Sequence, residues 1–236
     1  MQRIRENRQR INRDLADADR RKLFSPVEYA FYRVMAPALS EYARGKVIDV
    51  GCGDMPYKSV IVAHATEYDT IDVERRVPEV KFVGDVHDMK VLADETYDSA
   101  VCLDVLEHVH DPLRALGEIR RVLKRDGRLL LSVPHLSRLH EEPHDYFRYT
   151  KYGLSSLFDR AGFEVLSIVP SGGLFCFLGH QVSVAVLGSV WHLAGVKQLA
   201  FFLNQWLCVR PCFALDELLD PNKLFAQSYV AIATKR

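Results

Sequence analysis

The chain has 236 residues, with 31 Lys and Arg balancing 31 Asp and Glu; 48% of its residues are hydrophobic and 26% charged. That length supports one sizeable globular core, and the charge balance supplies no global field for nucleic acid, so no nucleic-acid partner is expected. Five cysteines (Cys52, Cys102, Cys176, Cys208, Cys212) are odd in number and lack metal-type spacing, which argues for reduced thiols over a disulfide framework or zinc site.

The first two dozen residues carry Arg3, Arg5, Arg8, Arg10, Arg13, Arg20, Arg21 and Lys22 without an apolar run, so no secretory signal and a cytoplasmic location are expected. A thin stripe of Ile4, Ile11 and Leu15 predicts a largely solvated helix to about Leu23 that orders on docking. Ser25-Pro26 opens a second helix running to Tyr42, serine as cap and proline in the first turn.

Strands are then predicted over Lys46 to Val50, Tyr68 to Val73, Val80 to Gly84, Ser99 to Leu103, Arg128 to Val133 and Phe163 to Val169. Helices are predicted over Tyr57 to Ala65, Pro112 to Leu123 and Lys151 to Ala161. Strands separated by helices imply parallel pairing with right-handed crossovers, a doubly wound α/β sheet of Rossmann-like type. Ligands bind such sheets at the carboxyl ends of the strands.

The first strand runs into Gly51-Cys52-Gly53, a turn that lets backbone approach a ligand closely, and the second ends in Asp72, placed to accept both hydroxyls of a ribose. Nicotinamide and S-adenosylmethionine enzymes share this much. Here Asp54-Met55-Pro56 replaces the third glycine that seats a pyrophosphate, which counts against a nicotinamide oxidoreductase. The third strand ends in Gly84-Asp85-Val86, where carboxylate and backbone suit adenine. The fourth ends in Leu103-Asp104, where carbonyl and carboxylate suit an ammonium group.

Asp49-Val50-Gly51-Cys52-Gly53, Gly84-Asp85 and Asp104-Val105-Leu106-Glu107-His108-Val109-His110-Asp111-Pro112 together resemble the class I S-adenosylmethionine-dependent methyltransferases of small-molecule type, over about Gly45 to Val169. The resemblance implies a seven-stranded, mostly parallel sheet whose last strand, Tyr229 to Ala233, runs antiparallel. It implies S-adenosylmethionine as cofactor: Gly51, Cys52 and Gly53 against its methionine part, Asp49 orienting the amino group, Asp72 on the ribose, Asp85 and Val86 at the adenine, and Leu103 and Asp104 beside the methionine portion.

Residues after the fifth strand face the transferred methyl in such a sheet. His135 and His144 are candidate general bases for an acceptor hydroxyl, His144 preferred because Asp145 follows it, with Tyr146, Arg148 and Tyr149 as candidate acceptor contacts. The stretch from His144 to Thr150 resembles one in bacterial methyltransferases of surface-glycan or secondary-metabolite pathways. His140 to His144 invites a metal reading, but proline breaks the segment and no metal site is predicted.

From Val165 to Val196 there is no charged residue, and after Lys197 none until Arg210. The length suits a membrane span, while Pro170, Gly172, Gly173, His180, Gln181 and His192 interrupt it; a buried helical insertion or an interfacial lid fits better. The expected organisation is an N-terminal helical arm (1–44), a cofactor-binding core (45–170), a hydrophobic insertion (171–226) and the last strand (227–236). The expected function is O-methylation of a small-molecule, glycan or lipid-linked acceptor, with peripheral membrane contact through the insertion. The alternatives are an NAD(P)-dependent oxidoreductase and a non-catalytic cofactor-binding or membrane-associated subunit.

Overall fold

The computed structural model describes residue 7, residues 10–11 and residues 13–236; Ile4 and the arginines at 3, 5 and 8 lie outside the described residues. The described chain divides into two compact units, Met35–Val169 with Ser228–Arg236, and the residues up to Val34 with Pro170–Gln227. The expected arm of 1–44 is therefore split after Val34, and its first part belongs with the insertion.

The first unit is built on strands β1 (Gly45–Val50), β2 (Ala65–Asp72), β3 (Phe82–Val83), β4 (Tyr97–Leu103), β5 (Leu123–Pro134), β6 (Phe163–Ser171) and β7 (Ser228–Lys235). They form one sheet in the order β3-β2-β1-β4-β5-β7-β6. β1 pairs in parallel with β2 and β4, β2 with β3, and β4 with β5, while β7 runs antiparallel to β5. Parallel strands covered on both faces read as continuous apolar runs, and Ala100, Val101 and Cys102 in β4 and Leu129, Leu130 and Leu131 in β5 are fully buried.

Most strands exceed their predicted lengths, β2 and β5 by the most at their starts. β2 starts at Ala65, where Thr66 and Glu67 are exposed, and β5 starts at Leu123, ahead of the exposed Lys124, Arg125 and Asp126. In β2 pairing with β1 outlasts the apolar pattern, Gly45 facing Ala65 and Lys46 facing Glu67; in β5 Leu123 faces Tyr97 and the register is irregular before Arg128. β3 shrinks to Phe82–Val83.

Helices follow their caps. In chain order they are α1 (Ala18–Arg21), α2 (Pro26–Tyr42), α3 (Lys58–Val62), α4 (Pro112–Val122), α5 (Lys151–Arg160), α6 (Leu174–Val190), α7 (Val196–Asn204) and α8 (Arg210–Leu219). Asp111 accepts a hydrogen bond from the Arg114 N–H (3.1 Å) at the start of α4, whose Ala115, Leu116, Ile119 and Val122 are buried at helical spacing. Thr150 caps α5 through the Gly153 N–H at 3.1 Å.

The second unit comprises α1, the first part of α2, and α6 to α8, with a π-helical turn at Gln205–Val209. The expectation of a solvated N-terminal helix is corrected: Ile11 and Leu15 are buried against Leu187 and Trp191. Asp14 accepts from Trp191 Nε1 and Lys197 Nζ, both at 3.0 Å, and Asn7 donates to the Gly188 carbonyl at 2.8 Å. A short stripe sufficed because its partner face is uncharged and apolar.

An uncharged segment still has helix ends to satisfy. The N-terminus of α6 has no cap of its own, and the buried Asp216 of α8 serves it, accepting from the N–H groups of Gly173 (2.8 Å), Phe175 (2.7 Å) and Cys176 (2.9 Å). Among the described residues no helix is long and apolar enough to cross a membrane. Large apolar side chains nevertheless stand exposed on α7, the π-helical turn and α8, including Leu199, Phe202, Trp206, Leu207 and Leu218.

Replacing Asp216 by Ala removes the acceptor and strands three donors at the α6 terminus. It should destabilise the protein by about 3 kcal/mol, the scale of unmet buried donors. Denaturant unfolding followed by circular dichroism checks this; a loss below about 1 kcal/mol would mean that water replaces the cap.

Candidate functional site

Because β1 to β5 are parallel, their carboxyl ends lie along one edge, and the strand order reverses between β1 and β4, where a crevice opens in sheets of this kind. The turn after β1 sits at that reversal. Gly51 has φ +67°, its N–H donates to the Ile71 carbonyl of β2 at 2.8 Å, and a Cβ on it would lie 2.5 Å from Cγ2 of Val105 beyond β4. Only glycine fits there. Gly53 also has a positive φ (+51°), but the space its Cβ would enter has no protein atom within 4 Å. The missing third glycine is accommodated by Met55, which takes φ +53° itself and buries its side chain with Cys52 and Val80.

The four acids each meet a different environment. Asp72 is buried at the end of β2 and accepts from the N–H groups of Gly53 (2.9 Å) and Glu74 (3.2 Å), which fixes the carboxylate beside the glycine turn. Asp49 is buried and accepts from the Tyr68 hydroxyl at 2.6 Å. Burial pushes its carboxyl up to about 7, the Tyr68 bond opposing the rise and the nearby Asp72 charge adding to it. Asp85, exposed past β3, is held below the usual carboxylate range by the His87 N–H (2.8 Å), with the His87 ring at 2.6 Å. The half-buried Val86 follows it.

Asp104 is exposed beyond the half-buried Leu103 and has φ +52°. Its N–H donates to the Ser132 carbonyl (3.1 Å), and the Ser132 hydroxyl donates back to its carboxylate at 2.8 Å. Tyr68, His87 and Ser132, which position three of the acids, were not picked out by sequence reasoning. Ser132 carried one signal, as a polar residue inside the apolar run of β5.

These residues fit S-adenosylmethionine: an open cradle above Gly53, a backbone-fixed Asp72 at the second tip and an exposed Asp104 at the fourth. Bound there, the cofactor supplies an electrophilic methyl on sulfur. The chain's residues would bind its hydroxyl, amino and ring groups.

The segment after β5 differs from expectation at Asp145, Arg148 and Tyr149. Asp145 is not a partner of the His144 ring: it takes two bonds from Arg148 (2.6 and 2.7 Å) and one from the His140 N–H (2.9 Å), and the Arg148 guanidinium holds it well below the usual carboxylate range. A planar guanidinium matches a carboxylate better than an imidazole does. The exposed His144 instead faces the Tyr146 hydroxyl across 3.0 Å. Tyr149 is buried and its hydroxyl donates to the Leu106 carbonyl at 3.1 Å, leaving Tyr146 as the exposed tyrosine of the segment. His135, at the end of β5, lies 5.5 Å ring to ring from Tyr229, and its buried Nδ1 has no hydrogen-bond partner among the described residues.

Comparison with known proteins agrees with this geometry. A family described as a methyltransferase domain matches residues 2–168. An uncharacterised protein of Methanocaldococcus jannaschii is 33% identical over 100 residues, covering 41% of this chain and 44% of that one. A ubiquinone biosynthesis O-methyltransferase of Xanthomonas oryzae is 28% identical over 109 residues, covering 39% and 44%. The chain thus spans less than half the length of these curated relatives. A crystal structure of an S-adenosylmethionine-dependent methyltransferase from Archaeoglobus fulgidus shares the fold, with a TM-score of 0.55 at 16% identity over 87% of this chain and 92% of that one. The family match sets the nicotinamide alternative aside: the chain belongs to the methyltransferase-domain family, and S-adenosylmethionine is its cofactor.

Proposed function

We propose that the chain transfers the methyl group to an oxygen of a lipid-linked or otherwise apolar acceptor at a membrane surface. The observation that carries this reading is the exposed apolar face of the second unit, where Leu207 and Leu218 are each 74% exposed, Phe202 56% and Trp206 50%. Isolated exposed apolar residues are ordinary, whereas so many on consecutive helices mark a surface that meets lipid or a partner. Trp206, stacked under Arg210 at 4.1 Å, has the amphipathic character of a headgroup-level side chain. The relative named as a ubiquinone biosynthesis O-methyltransferase methylates, by that name, an oxygen, and oxygen methylation is carried over from it as support.

Transfer to a hydroxyl needs alignment and removal of one proton. We assign the proton to His135 ahead of His144, because the buried Nδ1 of His135 has no partner of its own, whereas His144 is exposed and shares its ring nitrogen with Tyr146. Asp49 and Asp104 would meet the amino group of the cofactor, Asp72 its ribose, and Asp85 and Val86 its adenine.

Asp49 makes cofactor binding depend on pH. In the folded protein it keeps its proton up to about 7, whereas an unfolded aspartate loses it near 4. Its contribution to stability is therefore full below about pH 4 and is lost as pH rises to about 7. An ammonium group prefers the ionised form, so the affinity for S-adenosylhomocysteine should climb by up to about tenfold per pH unit below 7 and level off above it. Asp49→Asn should flatten that profile in calorimetric titrations. A flat wild-type profile would remove Asp49 from the amino-group site.

The acceptor assignment is tested by incubating the protein with methyl-labelled S-adenosylmethionine and bacterial membranes, then extracting with organic solvent. Label should enter the organic phase, and His135→Gln should lower its rate by about 10²–10⁴-fold with S-adenosylhomocysteine affinity preserved. Label confined to the aqueous phase would overturn the lipid acceptor, and an undiminished rate would overturn His135 as base.

Membrane contact has its own readout. The protein should float with vesicles containing phosphatidylglycerol, and Phe202→Asp with Leu207→Asp should abolish flotation without moving the melting temperature. Phe201 is a poor probe because it packs edge-on against Trp191 in the interior, at 5.9 Å. Absence of flotation in the parent protein would overturn the interfacial reading.

A further inference from the structure

Glu107 has no role in the site described above, and its environment is unusual. It lies in the short 3₁₀ turn Leu106–His108 after β4, its side chain is fully buried, and neither carboxylate oxygen has a hydrogen-bond partner among the described residues. A carboxylate removed from water without donors is strongly disfavoured unless a positive charge lies beside it.

Two imidazoles face it. Nε2 of His108 and Nε2 of His140 each lie 3.7 Å from Glu107 Oε1, with their rings edge to face at 4.7 Å between centroids. A separation of 3.7 Å is too long for a hydrogen bond. Donors held at about 2.0–2.2 Å from one tetrahedral zinc lie about 3.3–3.6 Å apart, so these carboxylate–imidazole separations approach the spacing of two ligands on one ion. All three residues offer donor atoms within 4.8 Å of one another.

The far side of each ring is arranged accordingly. His108 Nδ1 lies 2.7 Å from the His144 carbonyl, and His140 Nδ1 lies 3.2 Å from the Arg138 carbonyl and 3.5 Å from Asp145. The Arg148 guanidinium reaches that last nitrogen only at 3.5 Å and is held by Asp145 through shorter bonds. Carbonyl acceptors on Nδ1 place the ring proton there and leave the lone pair on Nε2, toward Glu107, as in the outer sphere of metal-bound histidines.

We infer that Glu107, His108 and His140 bind one divalent transition-metal ion of the zinc class. Two imidazoles and one carboxylate suit such an ion, and three protein ligands leave a position for water or another oxygen donor. No metal site is predicted from the sequence, where proline breaks the His140–His144 pattern, and the His144 ring turns to Tyr146. Glu107 and His108 come from the β4 end instead, and the loop returns to them where the N–H groups of Tyr146 and Phe147 donate to the Glu107 carbonyl at 2.7 and 3.3 Å.

The test uses the full chain without a histidine tag, titrated with Zn²⁺ by calorimetry and with Co²⁺ by visible absorption. One equivalent should bind, with Co²⁺ giving the absorption bands of a low-coordinate site. His140→Ala and His108→Ala should each weaken binding by at least about tenfold. His144→Ala should leave the affinity unchanged. Because Glu107→Gln could disturb the buried turn, the decision rests on His140→Ala, a change in a partly exposed loop, accepted when its melting temperature matches the parent. Absence of stoichiometric uptake, or uptake unaltered in folded His140→Ala, would overturn the metal site and leave a proton as the charge that Glu107 meets. These readouts are independent of methyl transfer, so they stand whatever acceptor is found.

Discussion

The turn after β1 exists only because Gly51 has no side chain, and the rest of the site depends on it. Its left-handed backbone brings the chain against Val105 of the β4 end while its N–H is tied to Ile71 of β2. The ends of three strands are thereby held within one turn. Gly53 then leaves open the volume a ligand would use and donates its N–H to Asp72, so the turn and the second-strand carboxylate act as one unit. Had the turn relaxed outward, Asp72 would lose a donor and the crevice would lose its floor.

The acidic edge that results is electrostatically uneven, and that unevenness suits it to a ligand carrying both an ammonium group and neutral hydroxyls. Asp49, buried with one phenol for company, holds its proton to about 7, whereas the His87 backbone and ring hold Asp85 below the usual carboxylate range. Nearby carboxylates could not all be charged at low cost in a buried setting. The fold separates them by depth: Asp49 and Asp72 are buried, and Asp85 and Asp104 face solvent.

The second unit solves a different problem, a long helix α6 that carries no charged residue. Its buried polar contacts are few and specific. Asp216 closes the start of α6, and Asn204 links Ser183 (2.8 Å) to the Phe24 carbonyl (2.9 Å). Such fully satisfied polar groups fix helix register where apolar packing alone would tolerate sliding. The apolar residues left outside this core set the surface character of the unit.

The sequence alone determined the sheet class, the glycine turn, the four acidic strand ends and the helices α4 and α5, while the antiparallel last strand followed from the family resemblance. The former are local: a period or a residue at a strand end. It also showed that 165–196 carries no charge, without revealing which residues would be interior. Tertiary structure alone decided that Ile11 and Leu15 are buried, since a thin stripe has meaning only beside Leu187 and Trp191. It decided that Asp145 belongs to Arg148 rather than to the His144 ring, because loop curvature and the planar guanidinium, not adjacency, choose a carboxylate's partner. It also placed Glu107 between His108 and His140, residues up to 33 positions apart in the sequence. No spacing rule encodes that meeting, because it arises only when the loop after β5 folds back over the end of β4.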